Sequence, residues 1–162
     1  QLFASASRDQ TVKLWNLDGT LVATLSGHEG WVNAVRFGPD GETLASAGED
    51  NQIRIWQLNR KTGKASLSKT LSGHRDRVTQ IAFSPDGKSL VSASGDGTVR
   101  VWNLGTGTAQ VFADNNPSRQ INSVEFSSDG QTVVSANANG RINVWNREGL
   151  YSKPGLDIIL KF

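Results

Sequence analysis

The chain has 162 residues, enough for one domain with a buried core, with 36% hydrophobic residues, 17 glycines and a formal net charge of +2. That charge is too small to argue for nucleic acid or an anionic membrane as the partner. No cysteine is present, so disulfides and thiolate chemistry are excluded, and no apolar run approaches the length of a membrane-spanning helix.

The predicted elements, in chain order, are short strands. The first unit holds Leu2–Ala6, a tight turn at 8–11, a run at 12–15 and a run at Leu21–Leu25. The second holds 31–37, a turn at 38–41, 43–47, a tight turn at 49–52, 53–56 and 66–71, with a longer polar loop at 59–64. The third holds Val78–Phe83, a turn at 84–87, 89–93, a tight turn at 95–98, 99–102 and 110–113. The fourth holds Ile121–Phe126, a turn at 127–130, 132–136, a tight turn at 138–141 and 142–145. Pro and Gly give the turns a mechanism, because Pro presets φ and Gly supplies positive φ. Within a unit the strands are termed a, b, c and d.

These units are copies of one design. Trp15, Trp56, Trp102 and Trp145 recur with gaps of 41, 46 and 43 residues. Each has a serine ten residues before it (Ser5, Ser46, Ser92, Ser135) and an Asp or Asn six before it (Asp9, Asp50, Asp96, Asn139). A fixed internal spacing inside a variable outer period means a repeated supersecondary unit. Short connections make each unit an antiparallel meander. The b runs carry small side chains that allow close sheet approach, and the a runs are apolar at nearly every position, which predicts cover on both faces. A small sheet packed on both faces by its own copies is a propeller blade. The expected fold is all-β: a partial β-propeller of four-stranded antiparallel blades, about 3.75 of them, in one domain over 1–162 with units near 1–25, 26–71, 72–113 and 114–162.

The chain resembles the WD-repeat β-propeller family over essentially its whole length. Gly27-His28 and Gly73-His74 stand 18 residues before Ser46 and Ser92, as the family pattern requires. The dipeptides after strand c depart from Trp-Asp, reading Trp15-Asn16, Trp56-Gln57, Trp102-Asn103 and Trp145-Asn146. His28, Ser46 and Asp50 invite comparison with a nucleophilic triad. The set recurs as His74, Ser92 and Asp96, however, and structural devices are duplicated more readily than active sites. The resemblance implies a buried hydrogen-bond chain from Trp through Ser and His to Asp in the second and third units. The first unit keeps Ser5, Asp9 and Trp15. The fourth keeps Ser135 and Trp145, with Pro117 at the His position and Asn139 at the Asp position, so its chain is expected to be broken.

The resemblance also implies a binding face where the d–a loops and b–c turns open. Carried over, the outward positions are Arg8 in the first unit, Trp31, Asn33 and Glu49 in the second, Arg77 and Thr79 in the third, and Gln120 and Asn122 in the fourth. Trp31 lies outside the tryptophan series, and exposed Trp and Arg are favoured interface anchors; the alternative is that Trp31 packs on its own loop or a neighbouring blade. No phosphate loop, calcium cluster, metal site or cofactor is expected: Gly105-Thr106-Gly107-Thr108 lacks the lysine of a phosphate loop, and Asp40, Asp86 and Asp129 fall one per turn.

The expected role is a non-catalytic protein-interaction scaffold or sensing module of a larger protein, binding a protein or peptide. The alternative is a catalytic or nucleic-acid-binding propeller whose decisive residues lie in blades not included here. The missing initial Met predicts an internal piece of a longer chain or a processed one, and the start inside a b strand predicts an incomplete ring; with no signal or membrane-spanning segment and no cysteine, a cytoplasmic setting is expected. Further blades, or a second copy, are expected to complete the ring. The run 156–162 is read as an a strand, a d strand or a disordered end.

Overall fold

The structure, a computed structural model, describes residues 2–59, 62–113 and 120–146. Strands β1 (Leu2–Ala6), β2 (Val12–Asn16) and β3 (Leu21–Leu25) form the first sheet. Strands β4 (Val32–Phe37), β5 (Thr43–Gly48), β6 (Gln52–Asn59) and β7 (Lys64–Ser72) form the second. The third holds β8 (Val78–Phe83), β9 (Ser89–Ser94), β10 (Thr98–Asn103) and β11 (Ala109–Ala113). The fourth holds β12 (Ile121–Phe126), β13 (Thr132–Asn137) and β14 (Ile142–Asn146). Every sheet is antiparallel with its strands in sequence order, so each is a meander and the fold is a partial β-propeller. The two readings that fall on Pro117 and on the run 156–162 lie outside the described residues.

The recurring tryptophans pack between blades rather than within them. Trp56 joins Val12, Leu14 and Leu25 of the preceding sheet. Trp102 joins Ile53, Ile55 and Leu71. Trp145 joins Val99, Val101 and Phe112, with its ring 5.4 Å from that of Phe112. Among the described residues Trp15 has no such neighbour; it stacks on Phe3 at 6.2 Å, and Phe3 is 43% exposed. The residues at the Phe3 position in later blades, Leu44, Leu90 and Val133, are buried. Burying an indole of roughly 200 Å² at about 25 cal/mol per Å² contributes on the order of 5 kcal/mol before entropy is subtracted.

Two expectations need correction. The a strands β4 and β12 are not covered on both faces: Asn33, Arg36, Asn122, Ser123 and Glu125 are exposed, alternating with buried Val32, Ala34, Ile121 and Val124, whereas β8 has no exposed position. Strand β4 lies against β1 and β8 of the neighbouring blades, and β12 against β8 and β9, while exposed polar side chains occupy the remaining positions of β4 and β12. The predicted loop at 59–64 is also shorter than expected, because β6 runs to Asn59 and β7 starts at Lys64. Polar side chains do not stop a strand on an outer edge, where only half the positions need burial.

The tight b–c turns place a positive-φ residue at the same site in every blade: Gln10 (71°), Asn51 (63°), Gly97 (80°) and Gly140 (81°). Glycine there removes the steric cost that Gln10 and Asn51 bear.

Candidate functional site

The hydrogen-bond chains close in two blades. In the second, Trp56 Nε1 donates to Ser46 Oγ at 2.8 Å, Ser46 Oγ lies 2.8 Å from His28 Nε2, and His28 Nδ1 lies 2.9 Å from Asp50 Oδ2. In the third, Trp102 Nε1 donates to Ser92 Oγ at 2.8 Å, Ser92 Oγ lies 2.7 Å from His74 Nε2, and His74 Nδ1 lies 3.0 Å from Asp96 Oδ2. The pattern assigns the protons: Nδ1–H donates to the carboxylate, and the serine hydroxyl donates to Nε2 while accepting from the indole. Each aspartate also accepts the backbone N–H that follows its histidine, Glu29 at 3.2 Å and Arg75 at 2.9 Å. Gly73 leaves room beside His74 for two side chains of strand β10: a Cβ there would come within 3.3 Å of the Trp102 ring and 2.7 Å of Arg100 Nη1, the end of a side chain that can swing aside.

The outer blades keep fragments of this chain. Trp15 donates to Ser5 and Trp145 to Ser135, each at 2.9 Å. Asp9 accepts from Thr11 Oγ1 at 2.6 Å and from Lys13 Nζ at 2.8 Å, and Asn139 accepts the Arg141 N–H at 3.2 Å. A basic residue two places before Trp was not singled out from the sequence, although Lys13, Arg54 and Arg100 recur there. Arg54 is buried and pairs with Asp50 at 2.6 Å. Arg100 instead stands over the Trp102 ring at 5.8 Å, and its buried Nε has no hydrogen-bond partner among the described residues. In that blade Thr98 Oγ1 takes the place on Asp96, at 2.7 Å.

Electrostatics fixes the charge state. Burial pushes the His28 imidazole below its ordinary value; the Asp50 carboxylate opposes that shift, and the Arg54 guanidinium, with Nη1 2.8 Å from Nδ1, reinforces it. Burial alone would raise Asp50, but hydrogen bonds from His28, Arg54 and the Glu29 N–H outweigh it and hold the carboxyl low. Burial likewise works against ionised Asp96, and the bonds from His74, Thr98 and the Arg75 N–H prevail, holding it well below the usual carboxylate range. All three folded-state values are depressed, so the unfolded chain binds more protons as pH falls. Stability is therefore full above the unfolded values. It declines first below about pH 6.5 as His28 would protonate, then below about pH 4 as Asp50 and Asp96 would. Thermal melts from neutral to acidic pH check this two-stage loss; a melting point that stays flat down to about pH 4 would refute the His28 stage.

A family model described as IFT122 first beta-propeller matches residues 1–153. The chain belongs to that family of WD-repeat β-propellers. Among curated relatives, it is 45% identical over 67 residues to Lissencephaly-1 homolog 1 of Paramecium tetraurelia, covering 41% of this chain and 17% of that one. It is 45% identical over 60 residues to Nuclear distribution protein PAC1 of Tuber melanosporum, covering 37% of this chain and 13% of that one. It is 43% identical over 61 residues to Nuclear distribution protein nudF 2 of Aspergillus clavatus, covering 38% of this chain and 14% of that one. These matches span under a fifth of each relative's length.

The outward-facing positions of this WD-repeat chain fall into two groups. Asn33, Thr79 and Asn122 each sit at a β-bulge in strands β4, β8 and β12. A bulge re-aims its side chain. Asn33 Nδ2 donates to Val78 O at 3.1 Å and to Glu49 Oε1 at 3.2 Å, and Thr79 Oγ1 donates to Ile121 O at 2.6 Å. Asn33 and Thr79 staple one blade to the next. Gln120 accepts from Arg77 Nη2 at 2.9 Å and donates to Asn122 Oδ1 at 2.8 Å. The other group is Arg8 and Trp31. The Trp31 side chain is 47% exposed, and the Arg8 Cζ stands 4.3 Å from its ring centroid. Strand β4 starts at Val32, one residue later than the sequence pattern suggests, which leaves Trp31 in the d–a loop. Its carbonyl accepts the Glu49 N–H at 2.8 Å, so the loop backbone is fixed while the ring stays open.

Among the described residues no group of three or more His, Asp or Glu side chains could hold a metal ion, and no helix is long and apolar enough to cross a membrane.

Proposed function

We propose that this chain is a protein-interaction module that binds a protein or peptide on the face formed by its d–a loops and b–c turns, anchored at Trp31 and Arg8. One observation carries it: an indole stays half exposed under a guanidinium at a position where the next blades carry Arg77 and Gln120. The blade design does not call for an aromatic there. A held cation–π pair offers a rigid apolar surface with charged donors at its edge. Arg8 and Arg77 stand outside the ion pairs that the described residues form. A catalytic reading would need an acid–base constellation confined to one blade, and the His–Ser–Asp sets are instead repeated and buried.

The polypeptide's further blades, or a second copy, complete the ring in this proposal. Leu17 is 70% exposed, whereas Leu58, at the same place in the next blade, is buried against the first blade. A cytoplasmic setting fits a chain free of cysteine. Trp31→Ala should weaken partner binding about tenfold or more, while stability changes by less than about 0.5 kcal/mol. Affinity capture with wild-type and Trp31→Ala proteins, followed by titration of the captured partner, tests it. Undiminished affinity would count against this face.

A further inference from the structure

Asn139 alone among the asparagines of this sequence is followed by glycine. It lies in the exposed b–c turn of the fourth blade, between β13 and β14, with Ala138 and Gly140 exposed on either side. Its Oδ1 accepts the Arg141 N–H at 3.2 Å, an Asx turn that curls the carboxamide over the Gly140 peptide. The Gly140 N–H donates to Asn137 O at 3.1 Å. The other three blades carry an aspartate at this place: Asp9, Asp50 and Asp96.

We propose that Asn139 is a modification site, at which spontaneous deamidation gives the fourth blade the carboxylate the other three are built with. The Gly140 backbone nitrogen, losing its proton to base, attacks the Asn139 Cγ. The new C–N bond closes a five-membered succinimide, and the side-chain nitrogen leaves as ammonia. Water then adds to one of the two ring carbonyls and reopens it, to aspartate or to isoaspartate. Net, one water is consumed, one ammonia is released, and no electrons are transferred. Glycine favours the step because no Cβ shields the attacking nitrogen and the backbone can turn to meet the carboxamide. The bond from Gly140 N–H to Asn137 O must open first. It is a single turn bond in an exposed stretch, where local opening costs far less than global unfolding.

The aspartate product fits its surroundings. In the first and third blades Asp9 and Asp96 accept the N–H two residues on, from Thr11 at 3.0 Å and Thr98 at 2.9 Å. Arg141 N–H already occupies the equivalent place, and a carboxylate is the stronger acceptor. The isoaspartate product adds a backbone methylene and spoils the turn. Either product adds one negative charge to the face bearing Arg77 and Gln120.

The test ages the purified chain at mildly alkaline pH, folded and in urea, with intact-mass and peptide-mapping readouts. The expected result is a gain of one mass unit confined to the peptide holding Asn139, faster with rising pH, faster in urea, and slowed in Gly140→Ala. Asn139→Asp, which folds without needing the alanine at positive φ, should show no gain and should co-elute with the aspartate product on ion exchange. The inference is overturned if the folded chain stays unchanged at Asn139 while the chain in urea converts there. It is also overturned if other asparagines convert first.

Discussion

Replacing Trp102 by alanine is expected to cost about 3–5 kcal/mol of stability, enough to leave most single domains marginal. The indole is 2% exposed and fills the space between the second and third blades, against Ile53, Ile55 and Leu71. Its removal opens a cavity between two rigid sheets that have little freedom to collapse, and strands Ser92 Oγ without its indole donor. Trp15 holds the same place in the first blade but among the described residues has only Phe3 to stack on, so Trp15→Ala should cost far less. Urea denaturation followed by circular dichroism compares the two. Equal losses would mean that the tryptophans stabilise their own blades and not the seams between them.

His74→Ala is the second large effect, expected at about 2–4 kcal/mol. The imidazole is the middle link between strand β9, which carries Ser92, and the b–c turn, which carries Asp96. Its loss leaves the buried Ser92 hydroxyl proton without an acceptor and removes one donor from Asp96, which keeps Thr98 and the Arg75 N–H. Because three remaining donors, the Arg75 N–H, the Thr98 N–H and the Thr98 hydroxyl, still support the carboxylate, the cost stays below that of a wholly orphaned charge. Chemical denaturation of the variant checks the figure; a change under about 0.5 kcal/mol would show that the chain of bonds is ornamental.

Much of the fold was legible because its signals are local and repeated. The offsets among His74, Ser92, Asp96 and Trp102 fix strands, turns and hydrogen bonds at once, and short connections allow only a meander. What escaped the sequence depends on neighbours. Asn33 and Thr79 look like free polar residues until a β-bulge in each strand turns them onto the carbonyls of the next blade, Val78 and Ile121. The a strands look apolar at nearly every position until the sheets are assembled and the polar positions of β4 and β12, though not those of β8, prove exposed. The difference between Arg54 and Arg100 was equally hidden. Both precede Trp by two residues, but Gln52 leaves Asp50 open to Arg54, whereas Thr98 binds Asp96 and displaces Arg100 towards its tryptophan. Trp31 was legible as an exception to the series, but the Arg8 guanidinium that covers it comes from the preceding blade, and no local pattern links the two.

Under the proposed function, repeated residues build the blades and the exceptional pair at Arg8 and Trp31 recognises the partner. Amide hydrogen exchange on the full-length protein, with and without its captured partner, tests it most directly. Partner-induced protection should concentrate in the d–a loop at 26–31 and the b–c turn at 7–11, leaving the a–b turns at 38–41 and 84–87 unchanged. Protection confined to those a–b turns, with none around Trp31, would contradict it.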